Sequence, residues 1–561
     1  MDFESTMCIE ICRYQTKYIL EWRLTMKRVQ LLDCTLRDGG YLVDAQFGNT
    51  VIKGIIKGLA DSGIDVVECG FLKDEPHVKG STIFNNAAQL RSFLPEERRQ
   101  TSFVCLADYS RYTISNLEPF DGTSIDGVRA CFFKNERYDV IDFCKSIVEK
   151  GYKLYVQPVD ILGYSDSELL ELIEMINPLE PYAFSIVDTF GSMYKEDLRR
   201  VFYLIDRNLN SASKIGFHSH NNLQMSFSLS QEFIDMTQGL RKVVIDATMA
   251  GMGRGAGNTN TELVMQYMNR KYNSGYDIDT VLDLIDNYID GIRNTCSWGY
   301  STHYFLAGSY SAHVNNISYL TAKAGISSRD INYILNRIGA DARKRYDYDL
   351  LESTYMEYNG TIKDDEKEVA VLKESLQGKD ILMLLPGHSI VTHKEEILKY
   401  CEEKKPLVIS VNLLSHDYPI NYVYFSNKKR YNYWKSASRF GEYKKIVTSN
   451  VTDVENKNQL VIDFTRLVKC GWDQLDNSGI LLLRLLDELE VSSIAMAGFD
   501  GYSHDSTSTN YMHKEMEKTR NTLNADEANR DVQSMLEDYI NTRQSDCPIF
   551  FLTPSRFEIN E

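Results

Sequence analysis

Two histidines stand one residue apart at the end of a short apolar run, Lys214-Ile-Gly-Phe-His-Ser-His-Asn-Asn222. If residues 215–219 form a β-strand, alternate side chains share a face, so His218 and His220 point one way and Ser219 the other. Two imidazoles on one face can hold a divalent cation. The same pattern is also that of a polar strand end, so a further ligand is needed. Val29-Gln-Leu-Leu-Asp-Cys-Thr-Leu-Arg-Asp-Gly-Gly-Tyr41 reads as a buried strand entering a glycine-marked loop, and offers Asp38 as that ligand.

The elements that must bring these groups together recur along the chain. Short apolar, β-rich runs cover residues 29–33, 64–70, 102–106, 127–133, 153–158, 183–188, 214–219 and 242–247, with helical stretches between them. Val51, Ile52, Ile55, Ile56 and Leu59 repeat at helical spacing before Gly63, and Leu169, Leu170, Leu172, Ile173 and Ile176 do so before Pro178. Eight βα units predict a closed parallel (β/α)8 barrel, whose chemistry sits at the C-terminal ends of the strands. Asp38, Glu68, Asp188-Thr189, the two histidines and the loop from Gly251 to Asn258 would then share one rim.

Composition bounds the reading. The 561 residues predict more than one domain, and 43% hydrophobic with 25% charged residues is ordinary for a globular protein. A formal net charge of -17 argues against a nucleic-acid or anionic-membrane surface and leaves small molecules or proteins as partners. No apolar stretch approaches the roughly 18 to 20 residues of a membrane span. Eleven cysteines without a paired Cys-x-x-Cys pattern read as reduced thiols in a cytoplasm. Residues 1–27 read as an unstructured extension or an upstream mis-called start.

Ala247-Thr-Met-Ala-Gly-Met-Gly-Arg-Gly-Ala-Gly-Asn258 carries four alternating glycines. A Rossmann phosphate loop is its rival reading, although such a loop opens a nucleotide-binding unit and this one closes a series of eight. With Leu32-Asp-Cys-Thr-Leu-Arg-Asp-Gly-Gly40 and Phe217-His-Ser-His-Asn-Asn222, it resembles the three signatures of the metal-dependent TIM-barrel lyases and synthases, the hydroxymethylglutaryl-CoA lyase-like family. The likeness covers residues 28–300. The glycine loop is most similar to the 4-hydroxy-2-oxovalerate aldolase branch, because the cysteine of the CoA-lyase branch is absent from it.

The resemblance implies that Asp38, His218 and His220 bind a divalent cation, Mn²⁺ or Mg²⁺, with Asn258 a weak fourth ligand. It implies that the ion grips a 2-oxo acid, that Arg37 stabilises the enolate formed on carbon–carbon cleavage, and that Thr189 hydrogen-bonds the substrate carboxylate, with Glu68 at the end of the second strand a further substrate-binding candidate. Each has a plainer alternative: Asp38 as a helix cap, Arg37 in a rim ion pair with Glu68, Thr189 as a turn residue, Asn258 as an N-cap and His77 as a loop histidine. One departure bears on catalysis. Where the aldolase branch carries a histidine three residues after the metal-binding aspartate as acid/base group, this chain has Tyr41; a phenol is a poor base at neutrality unless a metal or cation lowers its pKa, so the catalytic proton falls to Tyr41 itself or to a metal-bound water, or the substrate differs from that of the degradative aldolases.

The implied activity is that of a metal-dependent aldolase converting a 4-hydroxy-2-oxo acid to pyruvate, or a related 2-oxo acid, plus an aldehyde, or the reverse. A Claisen-type synthase or CoA-ester lyase is the alternative within the family. A bifunctional surface-sugar biosynthesis protein with a C-terminal transferase-like domain, and a barrel retained as a scaffold or sensor, are alternatives outside it. The expected layout is the barrel over 28–274, a helical extension over 275–360, a linker over 361–378, and a Rossmann-like α/β domain of unassigned function over 379–561. In the aldolases the extension packs near the active site and against a partner dehydrogenase. His303, Tyr304, Tyr310 and His313 are therefore rim candidates, and a homo-oligomer is the other association expected. In the last domain Gly387-His-Ser389 reads as an anion-binding turn or a plain one, Lys428-Lys-Arg-Tyr-Asn-Tyr-Trp-Lys435 as a nucleotide contact or a solvated segment, and Ala497-Gly-Phe-Asp-Gly-Tyr502 as a substrate loop.

Overall fold

The computed structural model describes residues 29–237, 241–323, 326–360, 363–438, 440–451, 458–469, 471–472, 476–503, 510–513, 516 and 525–559. The extension read over 1–27 lies outside them. The chain divides into two compact units, one up to Val314 and one from Asn315. The segment read as a single helical extension over 275–360 is therefore shared between them.

Eight parallel strands form the barrel of the first unit, β1 (Val29–Asp33), β2 (Val66–Leu72), β3 (Ser102–Asp108), β4 (Gly127–Phe132), β5 (Lys153–Pro158), β6 (Ala183–Asp188), β7 (Lys214–Ser219) and β8 (Val243–Ala247), and a two-residue strand, Ile83–Phe84, pairs in parallel with β2. The barrel closes because β1 pairs with both β8, Val29 opposite Val243, and β2, Leu32 opposite Val66. Apolar side chains at helical spacing make Asn49–Asp61, Val140–Glu149, Asp166–Ile176, Lys195–Asn208, Ser226–Met236 and Thr261–Tyr272 amphipathic helices. Their buried faces pack on the outer faces of the strands, as Ile52, Ile55 and Ile56 do beside Val67 and Cys69. Between β2 and β3, and between β3 and β4, short 3-10 turns replace helices.

Inside the barrel Leu32, Val66, Val104, Tyr155, Ala183 and Val244 form an apolar layer. Strand alternation puts the residues two positions further on at the next level toward the C-terminal rim. That level carries Glu68, Gln157, Ser185 and Asp246, all buried. The change from apolar to charged layer marks where packing gives way to chemistry.

The second unit is a seven-stranded parallel sheet of β9 (Asp380–Leu384), β10 (Leu407–Val411), β11 (Tyr422–Phe425), β12 (Lys444–Thr448), β13 (Gln459–Ile462), β14 (Ser493–Ala497) and β15 (Ile549–Phe551). Its order is β13-β12-β11-β10-β9-β14-β15, a doubly wound arrangement that reverses direction between β9 and β14. The expected linker over 361–378 instead contains helix Glu366–Leu376, whose Leu372 and Leu376 are fully buried in this unit's core. Val369, Leu372 and Leu376 supply an apolar stripe that the surrounding charges mask in the sequence. At the Gly387-His-Ser389 turn, the Ser389 amide already donates to the Asp500 carboxylate at 2.7 Å, so the chain's own anion fills that position. Lys428–Lys435 is a helix in which Tyr431 is buried and the Trp434 indole N–H donates to the Asn412 carbonyl.

Candidate metal centre

His218 is the last residue but one of β7, and His220 lies just beyond the strand, bridged to Asn258 of the glycine loop. Asp38 closes a single buried helical turn, Thr35–Asp38, that follows β1. That turn is anchored by Asp33, whose carboxylate accepts from the Thr35 amide at 2.9 Å and from the Thr261 hydroxyl at 2.6 Å. The ligand atoms of Asp38, His218 and His220 all lie within 4.8 Å of one another.

The imidazoles are oriented from behind. His218 Nδ1 lies 3.0 Å from the Asp246 carboxylate, and His220 Nδ1 lies 3.0 Å from the Asp188 carbonyl oxygen. A carbonyl only accepts, so His220 Nδ1 is the protonated nitrogen. Asp246, ion-paired with Arg129, is likewise an acceptor for His218. In the neutral rings both Nε2 lone pairs are thereby turned onto Asp38 Oδ2, at 3.6 Å from His218 and 3.4 Å from His220. Asp38 Oδ2 is buried without a hydrogen-bond donor, and so is Asn258 Oδ1. Several buried acceptors facing one another with no donor between them is the chemistry of a cation site, and the set suits a hard or borderline divalent ion.

Around this group runs a closed chain of buried charge. Arg37 Nη1 donates to Asp38 Oδ1 and Arg37 Nε to Glu68 Oε2, both at 2.8 Å. Arg129 bridges the same Glu68 oxygen, at 2.9 Å, to Asp246. Burial opposes the charge on Asp38, but Arg37 and then the two imidazoles hold its carboxyl well below the ordinary range. Asp246 is lowered in the same way, burial being outweighed by Arg129. Burial pushes His218 down and keeps it neutral; His220 is also penalised by burial, but Asp38 raises it.

The other expected residues fall at varied distances from this centre. Arg37 is in the rim ion pair with Glu68 that its plainer reading anticipated, and also pairs with Asp38. Asp38 caps no helix with its side chain, and the N-cap of Thr261–Tyr272 is Asn260, not Asn258. Thr189 accepts from the Asp160 amide at 2.8 Å. Tyr41 stands at the rim, 38% exposed, with its ring under the Arg254 guanidinium at 3.7 Å. Burial pushes its phenol up from the ordinary value in spite of Arg37 and Arg254. His77 is a loop histidine, bonded to the Ile83 carbonyl and stacked on Phe84. His313 is influenced by both Arg254 and His220, with burial the main cause of a pKa lowered to about 4.

Three residues around this centre escaped the sequence reading: Arg129 and Asp246 in the chain of buried charge, and Arg254 on the Tyr41 ring. The signal for the first two was a lone charge at an inward register position in a strand that is otherwise apolar, as in Gly127-Val-Arg-Ala-Cys-Phe132.

The Asp38, His218 and His220 cluster at the mouth of the barrel could hold a metal ion, and comparison with known proteins finds similarity to an oxaloacetate decarboxylase and to aldolases. Residues 131–287 match the HMGL-like family model. It is 27% identical over 316 residues to an oxaloacetate decarboxylase of Mycobacterium tuberculosis, covering 55% of this chain and 90% of that one. It is 27% identical over 328 residues to a 4-hydroxy-2-oxovalerate aldolase of Pseudoalteromonas translucida, covering 56% and 91%. The N-terminal domain of a putative aldolase from Bacteroides vulgatus aligns at a TM-score of 0.45 and 23% identity, covering 52% of this chain and 95% of that one.

Proposed function

We propose that the first unit cleaves a 4-hydroxy-2-oxo acid into pyruvate, or a related 2-oxo acid, and an aldehyde, or runs the reverse condensation. Asp38, His218 and His220 would hold Mn²⁺ or Mg²⁺, with Asn258 as a weaker fourth ligand. The observation that carries this reading is the convergence of two Nε2 lone pairs and the unpaired Asp38 Oδ2 on one buried point. The ion, when bound, supplies a Lewis acid for the 2-oxo and carboxylate oxygens.

The chain's own residues do the rest. Cleavage breaks the C3–C4 bond, its electron pair passes to C3, and the 2-oxo acid is left as its enolate. Arg37 keeps Nη2 beyond the two bonds that it makes to Asp38 and Glu68, and a fixed guanidinium there would stabilise the negative oxygen. Thr189, whose hydroxyl already accepts from Asp160, has its proton to give to a substrate carboxylate.

A second reading is favoured by Tyr41. Aldol cleavage needs a base for the 4-hydroxyl proton, and a phenol, protonated at neutrality, is a poor one. Decarboxylation of a 2-oxo acid with a carboxylate on C3 leaves the same enolate and releases carbon dioxide, with no proton to remove first. The oxaloacetate decarboxylase relative is in keeping with this.

The test is metal content of the purified chain, followed by pyruvate release from a panel of 4-hydroxy-2-oxo acids and from oxaloacetate, with and without EDTA. Metal-dependent release abolished by His218→Ala supports the proposal, and the preferred substrate separates the two readings. Turnover indifferent to EDTA and to Asp38→Ala sinks both.

A further inference from the structure

Arginine 254 stands apart from the other arginines of the mouth. Arg37 is tied to Asp38 and Glu68, and Arg129 to Glu68 and Asp246. Arg254 is part-buried, and among the described residues no carboxylate or hydrogen-bond acceptor pairs with its guanidinium. Its contact is with the Tyr41 ring, 3.7 Å below it. Stacking on a ring occupies the guanidinium face and leaves its N–H edges for a planar anion.

The backbone fixes Arg254 in place. On one side, a Cβ on Gly253 would come 2.3 Å from Asn258 Nδ2, so the loop is pressed against the metal-centre residues. On the other, Gly255 has φ +67°, and a Cβ there would meet Asn222 Oδ1 and Val314 Cγ1 at 2.9 Å. The Ala256 amide donates to Asn222 Oδ1 at 3.0 Å. Both neighbours must be small for this loop to pass between Asn258 and Val314, and the residue between them points to the Tyr41 rim. His313 adds no anion: burial, with Arg254 and His220, keeps its imidazole neutral at neutrality.

We propose that Arg254 is a second anion subsite, and that the substrate is a dianionic 2-oxo acid whose far end carries a carboxylate or phosphate paired with this guanidinium. The inference rests on the metal-lyase reading of Asp38, His218 and His220 for the near end of the substrate. It makes the glycine loop the element that selects the fragment to be released.

A matched pair of non-cleavable ligands tests it: 2-oxoglutarate and 2-oxopentanoate have the same length and chelating end and differ in the far carboxylate. Their binding to the Mn²⁺-loaded full chain is measured by calorimetry. The expected preference for 2-oxoglutarate is about 10- to 100-fold, the effect of one charge-assisted, bidentate contact. Arg254→Gln brings the ratio near one and leaves 2-oxopentanoate and Mn²⁺ affinity unchanged, while Arg254→Lys keeps part of the preference. A third ligand, 2-oxo-4-phosphonobutanoate, shows whether carboxylate or phosphate fits better. Equal binding of the pair to the wild type, or a preference that survives in Arg254→Gln, overturns the subsite. Failure of both ligands to bind the Mn²⁺-loaded wild type overturns instead the metal-lyase reading beneath it.

Discussion

Asp246 holds the His218 ring by Nδ1 and is itself held by Arg129, so it acts on the metal position without touching it. A carboxylate behind an imidazole fixes its tautomer and raises its basicity as a ligand. Asp246→Asn keeps the shape but removes the charge. It also turns the residue into a donor that can face Nδ1, freeing the ring to place its proton on Nε2. Mn²⁺ affinity should fall about 10- to 100-fold, measured by calorimetry against the wild type. A variant with unchanged affinity would show that the tautomer is set some other way. Arg129 is a harsher position, because its removal would leave Glu68 and Asp246 buried beside each other with no cation between them.

At the scale of elements, Asp33 is the joint between β1, the turn that carries Asp38 and the helix that opens at Thr261. Burial, against the hydrogen bonds from Thr261 and Thr35, raises its pKa from 3.8 to about 6. The folded form therefore binds the proton more tightly than the unfolded chain. Its contribution to stability is full below pH 3.8 and is lost as pH rises through 6. Asp33→Asn removes that loss, so relative to wild type it should gain about 1 to 2 kcal/mol more at pH 8 than at pH 5, read from urea midpoints. A pH-independent difference would mean that Asp33 is ionised at both. Much of this layer was legible in the sequence. Alternating or continuous apolar runs located all eight barrel strands within about two residues at each end, since a barrel strand must be apolar toward the helices. His218 and His220 were legible because strand alternation alone puts them on one face. The Arg129–Asp246 pair was not, because its partners are 117 residues apart and each looks like an interruption of a strand.

At the scale of the whole molecule, the two units have separate cores, one around Ile52, Phe84 and Phe217 and the other around Ile381, Leu482 and Met535. Every group assigned to the metal, from Asp38 to Asn258, belongs to the first. A ligand stabilises what it binds by mass action, and at about 100 times its dissociation constant that amounts to about 2.7 kcal/mol. Amide hydrogen exchange of the full chain, followed with EDTA and with saturating Mn²⁺, should therefore respond unevenly. Strands β1 to β8, whose innermost amides exchange through opening of the barrel, should slow about 100-fold, while β9 to β15 keep their rates. His218→Ala should leave the barrel at its EDTA rate whether or not Mn²⁺ is present. Equal slowing across both sets of strands would place the ion's effect outside the barrel. Slowing of neither would mean that the convergence of Asp38, His218 and His220 does not hold Mn²⁺.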